Sequence, residues 1–168
     1  MLTRSSKLFI ATLFACSTLL PGIDAQSIAV PLFKRDKVQE SKINGLRSKQ
    51  PMAVLEYNQE MYQHLKSSDY KTLTLSFPTP DEPLSLRLEK SEIFADGFFV
   101  NTDKEKSVAF QPGLYYHGTI EGQPNSVVAI TMFDDEVAGV INTDNGSKYV
   151  IGKSSSLRSR SFLVFDAN

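Results

Sequence analysis

The chain of 168 residues contains no tryptophan, one cysteine and two histidines. Each shortage removes a class of chemistry. The single thiol, Cys16, makes neither an intrachain disulfide nor a cysteine-rich zinc site. The histidines are His64 and His117, and no H-E-x-x-H segment exists, so the usual helix-borne zinc-protease site is absent. There is no G-x-S-x-G elbow, no Walker loop and no G-x-G-x-x-G. A net charge of -1 gives no electrostatic footprint for nucleic acid. With 41% apolar and 22% charged residues, the composition is that of an ordinary globular chain rather than a disordered one. These counts favour a non-catalytic domain that needs no metal or cofactor.

Long hydrophobic runs are also scarce. The one clear case, Leu8 to Leu20, follows Arg4 and Lys7 and precedes the helix breakers Pro21 and Gly22. Ile23-Asp24-Ala25 then sets a small residue before Gln26. That order of basic, apolar and small-residue regions is a secretory signal cut between Ala25 and Gln26, and the run is too short for a comfortable membrane span. The expected location is secreted, or periplasmic in a bacterium. Leu13-Phe14-Ala15-Cys16 is a loose version of a bacterial lipoprotein signal, in which Cys16 would carry a lipid anchor. Phe14 is bulky for that pattern and the apolar run continues past the cysteine, which favours a Cys16 discarded with the signal. The mature chain then has no cysteine, a usage common in bacterial exported domains, and rests on its core alone.

Residues 26–50 form a basic segment. Lys34, Arg35, Lys37, Lys42, Arg47 and Lys49 stand against Asp36 and Glu40, for a net +4. Apolar residues are sparse after Phe33, so this segment reads as an extended or loosely ordered, flexible arm, ordered by contact with something else. Residues 51–168 carry ten basic and sixteen acidic side chains, a net of -6, and arm and body can attract one another.

The body is patterned mainly as strands. Met52-Ala53-Val54-Leu55 begins as a strand, followed by a helix-compatible stretch with Met61 and Leu65 at i, i+4. From Tyr70 the period is two: Leu73, Leu75 and Phe77, then Leu84, Leu86 and Leu88, flank a proline-rich acidic turn at 78–83. Phe98-Phe99-Val100, Tyr115 to Ile120, Ser126 to Phe133, Val137 to Thr143, Ser147 to Ile151 and Phe162 to Phe165 read as further strands. Gly122-Gln123-Pro124-Asn125 reads as a turn. The unbroken Val127-Val128-Ala129-Ile130 suggests burial on both faces or a place at the centre of a sheet. Asp144-Asn145-Gly146 carries the Asn-Gly signal of a type I′ hairpin. Eight or nine short strands predict a mainly β fold, an antiparallel sandwich or barrel-like domain with an N-terminal extended or partly helical arm.

Few side chains invite a chemical role. His64 reads as a surface residue. His117 lies on a strand with no visible partner. Asp134, Asp135 and Glu136 read as an exposed turn between strands. Asn142, Asp144 and Gly146 share spacing with a calcium loop, but Lys153 stands where its bidentate glutamate belongs. Phe98, Phe99, Tyr115 and Tyr116 can line a binding site, although buried aromatics dominate cores and the core is the expected place for them.

Residues 114–141 resemble a known pattern. Tyr116, Gly118, Ile120, Gly122, Ser126, Val128 and Ala129 fall on the Tyr-x-Gly-x-(Val/Ile)-x-Gly-x-x-x-Ser-x-(Val/Ala)-(Ala/Leu) strand pair of the propeptide domain of reprolysin-type zinc metalloproteases. Gly139, Val140 and Ile141 fall on its following strand. Upstream, Leu84 to Ser91, Ile93-Phe94-Ala95 and Gly97-Phe98 are similar to its leucine-alternating and glycine-aromatic stretches, and Tyr149 to Ile151 and Phe162 to Phe165 to its closing strands. The likeness spans about residues 70–165.

The resemblance implies an exported, non-catalytic pro-domain that assists the folding of a metalloprotease catalytic domain and holds it latent, in cis or in trans. Many family members block the zinc with a propeptide cysteine, and a cysteine-free mature chain cannot carry that device over. Residue 168 falls before the family's position for that cysteine, so the expectation is either a fragment of a longer precursor or a domain that stands alone as a secreted binding module.

Overall fold

The computed structural model describes residues 28–44, 51–104, 106, 112–154, 157–158 and 160–167. Residues 1–27, with the expected signal, Cys16 and the Ala25–Gln26 junction, and Gly45, Arg47 and Lys49 of the basic segment lie outside the described residues. The elements run β1 (Ile28–Val30), β2 (Phe33–Arg35), α1 (Lys37–Asn44), β3 (Met52–Tyr57), α2 (Gln59–Ser68), β4 (Thr72–Phe77) and β5 (Leu84–Lys90). They continue with β6 (Leu114–Ile120), β7 (Gln123–Met132), β8 (Val137–Asn142), β9 (Lys148–Lys153) and β10 (Ser161–Asp166).

All ten strands belong to one mixed sheet, ordered β1-β4-β5-β6-β7-β8-β9-β10-β3-β2, which curls into a half-barrel. The fold is mainly β, as the period-two patterning predicts, and takes the barrel-like alternative rather than two stacked sheets. Every pairing is antiparallel except β1 with β4. Curling puts one face inside: Leu73, Leu75 and Phe77 of β4, Leu86 and Leu88 of β5, and Phe162 and Val164 of β10 are buried in a single core.

Residues 28–44 of the basic segment are not a separate arm. Only Pro31 and Leu32 lie between β1 and β2, yet these strands occupy opposite edges of the sheet. The run 28–35 thus passes from one edge to the other and bridges the seam of the half-barrel. Proline suits the crossing point because it has no N–H to leave unpaired as the strand changes partner. Val30, Leu32 and Phe33 are the physical reason for this ordering, since all three enter the core. The something else that orders the segment is the body itself.

Where β2 faces β4, side chains close the seam. The Phe33 and Phe77 rings meet edge to face at 5.5 Å. The Arg35 guanidinium donates to the Thr79 carbonyl at 3.1 Å and the Pro80 carbonyl at 3.3 Å, in the β4–β5 turn. It also grips Glu40 of α1 with two bonds, Nε to Oε2 at 2.8 Å and Nη2 to Oε1 at 2.6 Å. Tyr149 of β9 donates to Asp81 at 2.9 Å, so the same turn is held from a second strand.

Helix α2 starts at Asn58, whose side chain accepts from the Met61 N–H at 3.1 Å, and ends at Asp69 in the left-handed conformation. Its buried residues are Tyr62 and Leu65.

Several local expectations change. Phe98 and Phe99 lie outside any strand, and Val100 makes only an isolated bridge. Gly97 (φ +76°) makes a turn closed by the Phe98 N–H on the Ala95 carbonyl, and β5 pairs directly with β6, which leaves no slot between them. The β6–β7 turn is Glu121-Gly122, with Gly122 at φ +79°, so Pro124 and Asn125 sit inside β7. Val127 is 56% exposed and Ala129 exposed, while Val128 and Ile130 are buried, because only one face of a curled sheet is inside. The β8–β9 turn is not type I′: among its residues only Gly146 has positive φ (+91°). The Asn145 side chain instead accepts from the Ser147 N–H at 3.1 Å, and the hairpin closes through Thr143 N–H on the Ser147 carbonyl at 2.9 Å.

Candidate interaction surface

The long connection from β5 to β6 carries the most unusual surface of the molecule. The Ser91 N–H donates to the Tyr115 carbonyl at 2.7 Å and extends the ladder by one step before the chain leaves the sheet. The following residues Ile93, Phe94, Phe98 and Phe99 lie outside any strand. Phe94 packs tilted against Phe98 (4.6 Å between centroids) and meets Tyr115 edge-on (5.7 Å), and Tyr115 meets Phe133 edge-on (6.0 Å). Ile93, Phe98 and Phe99 remain 57%, 50% and 57% exposed. Of the four aromatics expected in the core, only Tyr116 is there. Its hydroxyl donates to the Tyr70 carbonyl at 3.0 Å, and burial raises its pKa to about 12.

A groove of about 340 Å³ lies at the base of this loop, floored by Ile93, Phe94 and Tyr115. Its polar wall includes Asp69, Lys90 and Glu92. These belong to a charge chain in which Lys90 pairs with Asp69, Lys71 with Asp69 at 3.4 Å and Lys71 with Glu92 at 2.9 Å. Hydrogen bonds from Lys90 hold the Asp69 carboxyl below its ordinary range, and one from Lys71 does the same for Glu92. The chain alternates in sign and carries no net charge.

A second, larger groove of about 570 Å³ lies beside β2 and β3 and is lined by Lys34, Glu56, Glu60 and Arg160 among others. Arg160 has φ +76°, unusual for a residue with a side chain, and its carbonyl accepts from the Tyr57 N–H at 3.0 Å.

The residues of the family-like pattern occupy β6, β7 and β8, the middle of the sheet. Tyr116, Ile120 and Val128 point into the core, and Ala129 points out. A Cβ on Gly139 would meet the Ala129 carbonyl oxygen at 2.8 Å, and one on Gly118 would meet the Arg87 carbonyl oxygen at 1.9 Å. The ladder shifts register between Gly118 and Ile120. The Ile120 N–H is taken up there by Ser126 Oγ at 2.7 Å, and that hydroxyl donates to the Gln123 carbonyl at 2.6 Å. Ser126 thus bonds the turn backbone from a buried position. Ser126→Ala is expected to leave the buried Ile120 N–H without an acceptor and to lower stability by about 1–2 kcal/mol, read from urea unfolding midpoints.

His117 has a partner that the sequence did not reveal: Ser91 Oγ stands 2.6 Å from its Nδ1 on the exposed face. His64 is exposed and lies beside Tyr70. Asp134 and Asp135 lie on the exposed β7–β8 turn. Asp134 accepts from Gln63 at 2.7 Å, and Asp135 stands 3.5 Å from Lys153. Among the described residues no three His, Cys, Asp or Glu side chains gather as a metal site. No helix among them is long and apolar enough to cross a membrane. No family model matches the chain, and no curated protein matches it.

The sequence reading placed Ile93 and Phe94 in the family-like stretch and Phe133 at a strand end, but did not single them out as surface residues. The available signal was the Asp96-Gly97 turn inside an apolar stretch, which separates the aromatics before it from any strand after it.

Proposed function

We propose that this chain is the exported, non-catalytic pro-domain of a reprolysin-type zinc metalloprotease precursor, which assists folding of the catalytic domain and holds it inactive. The observation that carries the reading is the 114–141 block. Its pattern residues have a physical use in a contiguous β6–β7–β8 unit: glycine where backbone carbonyls crowd, serine where the ladder shifts, apolar residues on the inner face. The exposed aromatic loop supplies contact surface of the kind that dominates protein interfaces. Latency then comes from coverage of the catalytic domain, since the mature chain has no thiolate to offer the zinc.

The test mixes the purified chain with a reprolysin-type catalytic domain and follows cleavage of a fluorogenic peptide. Inhibition that saturates with chain concentration, together with a higher yield of active enzyme when the catalytic domain refolds in its presence, is the expected result. Unchanged activity and unchanged refolding yield overturn the proposal. A free-standing secreted binding module is the second reading, favoured by the exposure of Ile93, Phe98 and Phe99. It predicts a fully folded, active-neutral protein in the same assay.

A further inference from the structure

We propose that Asn145, in the β8–β9 turn, carries an N-linked glycan. Asn145-Gly146-Ser147 is the one place in the 168 residues where an asparagine stands two positions before a serine or threonine. That spacing, with no proline between, is the acceptor signature for oligosaccharide transfer to an exported chain. The proposal rests on export of the chain and adds a covalent modification to it.

The turn presents the acceptor well. Asn145 is exposed and lies beyond the last ladder pair, Asn142 with Lys148. Its Oδ1 accepts from the Thr143 hydroxyl and, at 3.1 Å, from the Ser147 N–H. A backbone N–H only donates, so this contact fixes which side-chain atom is the oxygen. Nδ2 is left without a protein partner among the described residues. The Ser147 hydroxyl is also uncommitted there, because the bonds of Ser147 in the turn use its N–H and its carbonyl. In the transfer, Nδ2 bonds to the anomeric carbon of a lipid-linked oligosaccharide and gives up one of its two protons. The pyrophosphate of the lipid carrier leaves.

Topology sets what the glycan covers. Strands β4 to β10 pair antiparallel in chain order, so their connections alternate between the two ends of the half-barrel. The β6–β7 and β8–β9 turns share one end, where the Asp144 N–H donates to Gln123 Oε1 at 3.0 Å. Ser91, Phe94 and Phe133 lie at the other, around Tyr115. A glycan on Asn145 shields the hairpin end and leaves the aromatic loop open to a partner.

The test expresses the full chain in a eukaryotic cell with an intact secretory route. The secreted protein is then treated with peptide N-glycosidase in heavy-oxygen water. The expected result is faster gel migration after treatment and a labelled aspartate at position 145 by peptide mass spectrometry. Asn145→Gln and Ser147→Ala are each expected to abolish the shift, and Ser147→Thr to keep it. Ser147→Ala removes no bond of the turn, so its loss of glycan reports the acceptor signature rather than misfolding. Secreted protein that shows no shift overturns the proposal and leaves export standing. A chain kept in the cytosol without glycan overturns both. Unlabelled aspartate at position 145, formed by ring closure on the Gly146 nitrogen with loss of ammonia and then hydrolysis, marks a bare Asn145 and overturns the glycan alone.

Discussion

Gly118→Ala is expected to lower the stability of the chain by about 3–5 kcal/mol, at the upper end of overpacking effects. The reason is local and geometric. Gly118 lies on β6 opposite Leu88 of β5, and an added Cβ would sit 1.9 Å from the Arg87 carbonyl oxygen and 3.0 Å from the Leu88 Cα. Both obstacles are backbone, held in the sheet by neighbours on each side, so no rotamer change relieves them. Either the β5–β6 ladder parts at Arg87, or the ladder shift between Gly118 and Ile120 moves and takes the Ser126 bond with it. The measurement is the urea midpoint with its slope, compared with Gly152→Ala, where nothing lies within 4 Å of the added Cβ. A loss below about 1 kcal/mol at Gly118 would refute the close approach of β5 and β6.

Arg35→Met is expected to cost about 2–4 kcal/mol, because it leaves Glu40 partly buried without its counter-charge and two turn carbonyls without their donor. The Glu40 side chain is only 13% exposed, and both of its oxygens accept from Arg35. The substitution keeps most of the apolar stem, so the loss reports the polar latch rather than packing. Its consequence is positional: the β4–β5 turn loses its tie to β2, and the seam beside Phe33 and Phe77 opens. Faster hydrogen exchange at residues 33–36 and 78–82 than in the parent is the corresponding readout.

The same latch predicts a dependence on pH. The Arg35 hydrogen bond holds the Glu40 pKa below its ordinary value near 4.5, against the opposing effect of burial. A carboxyl with a depressed folded-state pKa stabilises the fold fully above the unfolded value and loses that contribution as pH falls through the folded one. Stability is therefore expected to decline below about pH 5, and Glu40→Gln is expected to flatten that part of the curve while lowering stability at neutral pH. A variant with the same acid slope as the parent would show that other carboxyls set it.

Much of the fold was legible because its elements follow local rules. Leu73, Leu75 and Phe77 alternate with polar residues, and so do Leu86 and Leu88, which suffices to assign strands with one buried face. Met61 and Leu65 at i, i+4 mark the stretch that becomes α2, whereas its cap, Asn58, came only from the structure. The Phe98-Phe99 part of the strand assigned at 98–100 failed for the complementary reason, and Val100 keeps only an isolated bridge. Aromatic and β-branched residues favour strands only when a neighbouring strand is free to pair, and here β5 already holds β6. The Val127 to Ile130 run does lie at the centre of the sheet, but four apolar residues in a row do not say how many faces will be covered, and here only one is.

By itself the sequence determined that this is a mainly β chain with a glycine–serine pattern at 116–139. Those conclusions depend on residue types and short spacings, which chain connectivity fixes. Only the tertiary structure decided that residues 28–35 bridge the seam, that Arg35 reaches Thr79 and Pro80, and that Ser91 meets His117. The same holds for the placing of Phe98 and Phe99 outside while Tyr116 goes inside. These depend on which strands become neighbours when the sheet curls, and that choice is made by burial summed over the whole core, not by any one segment.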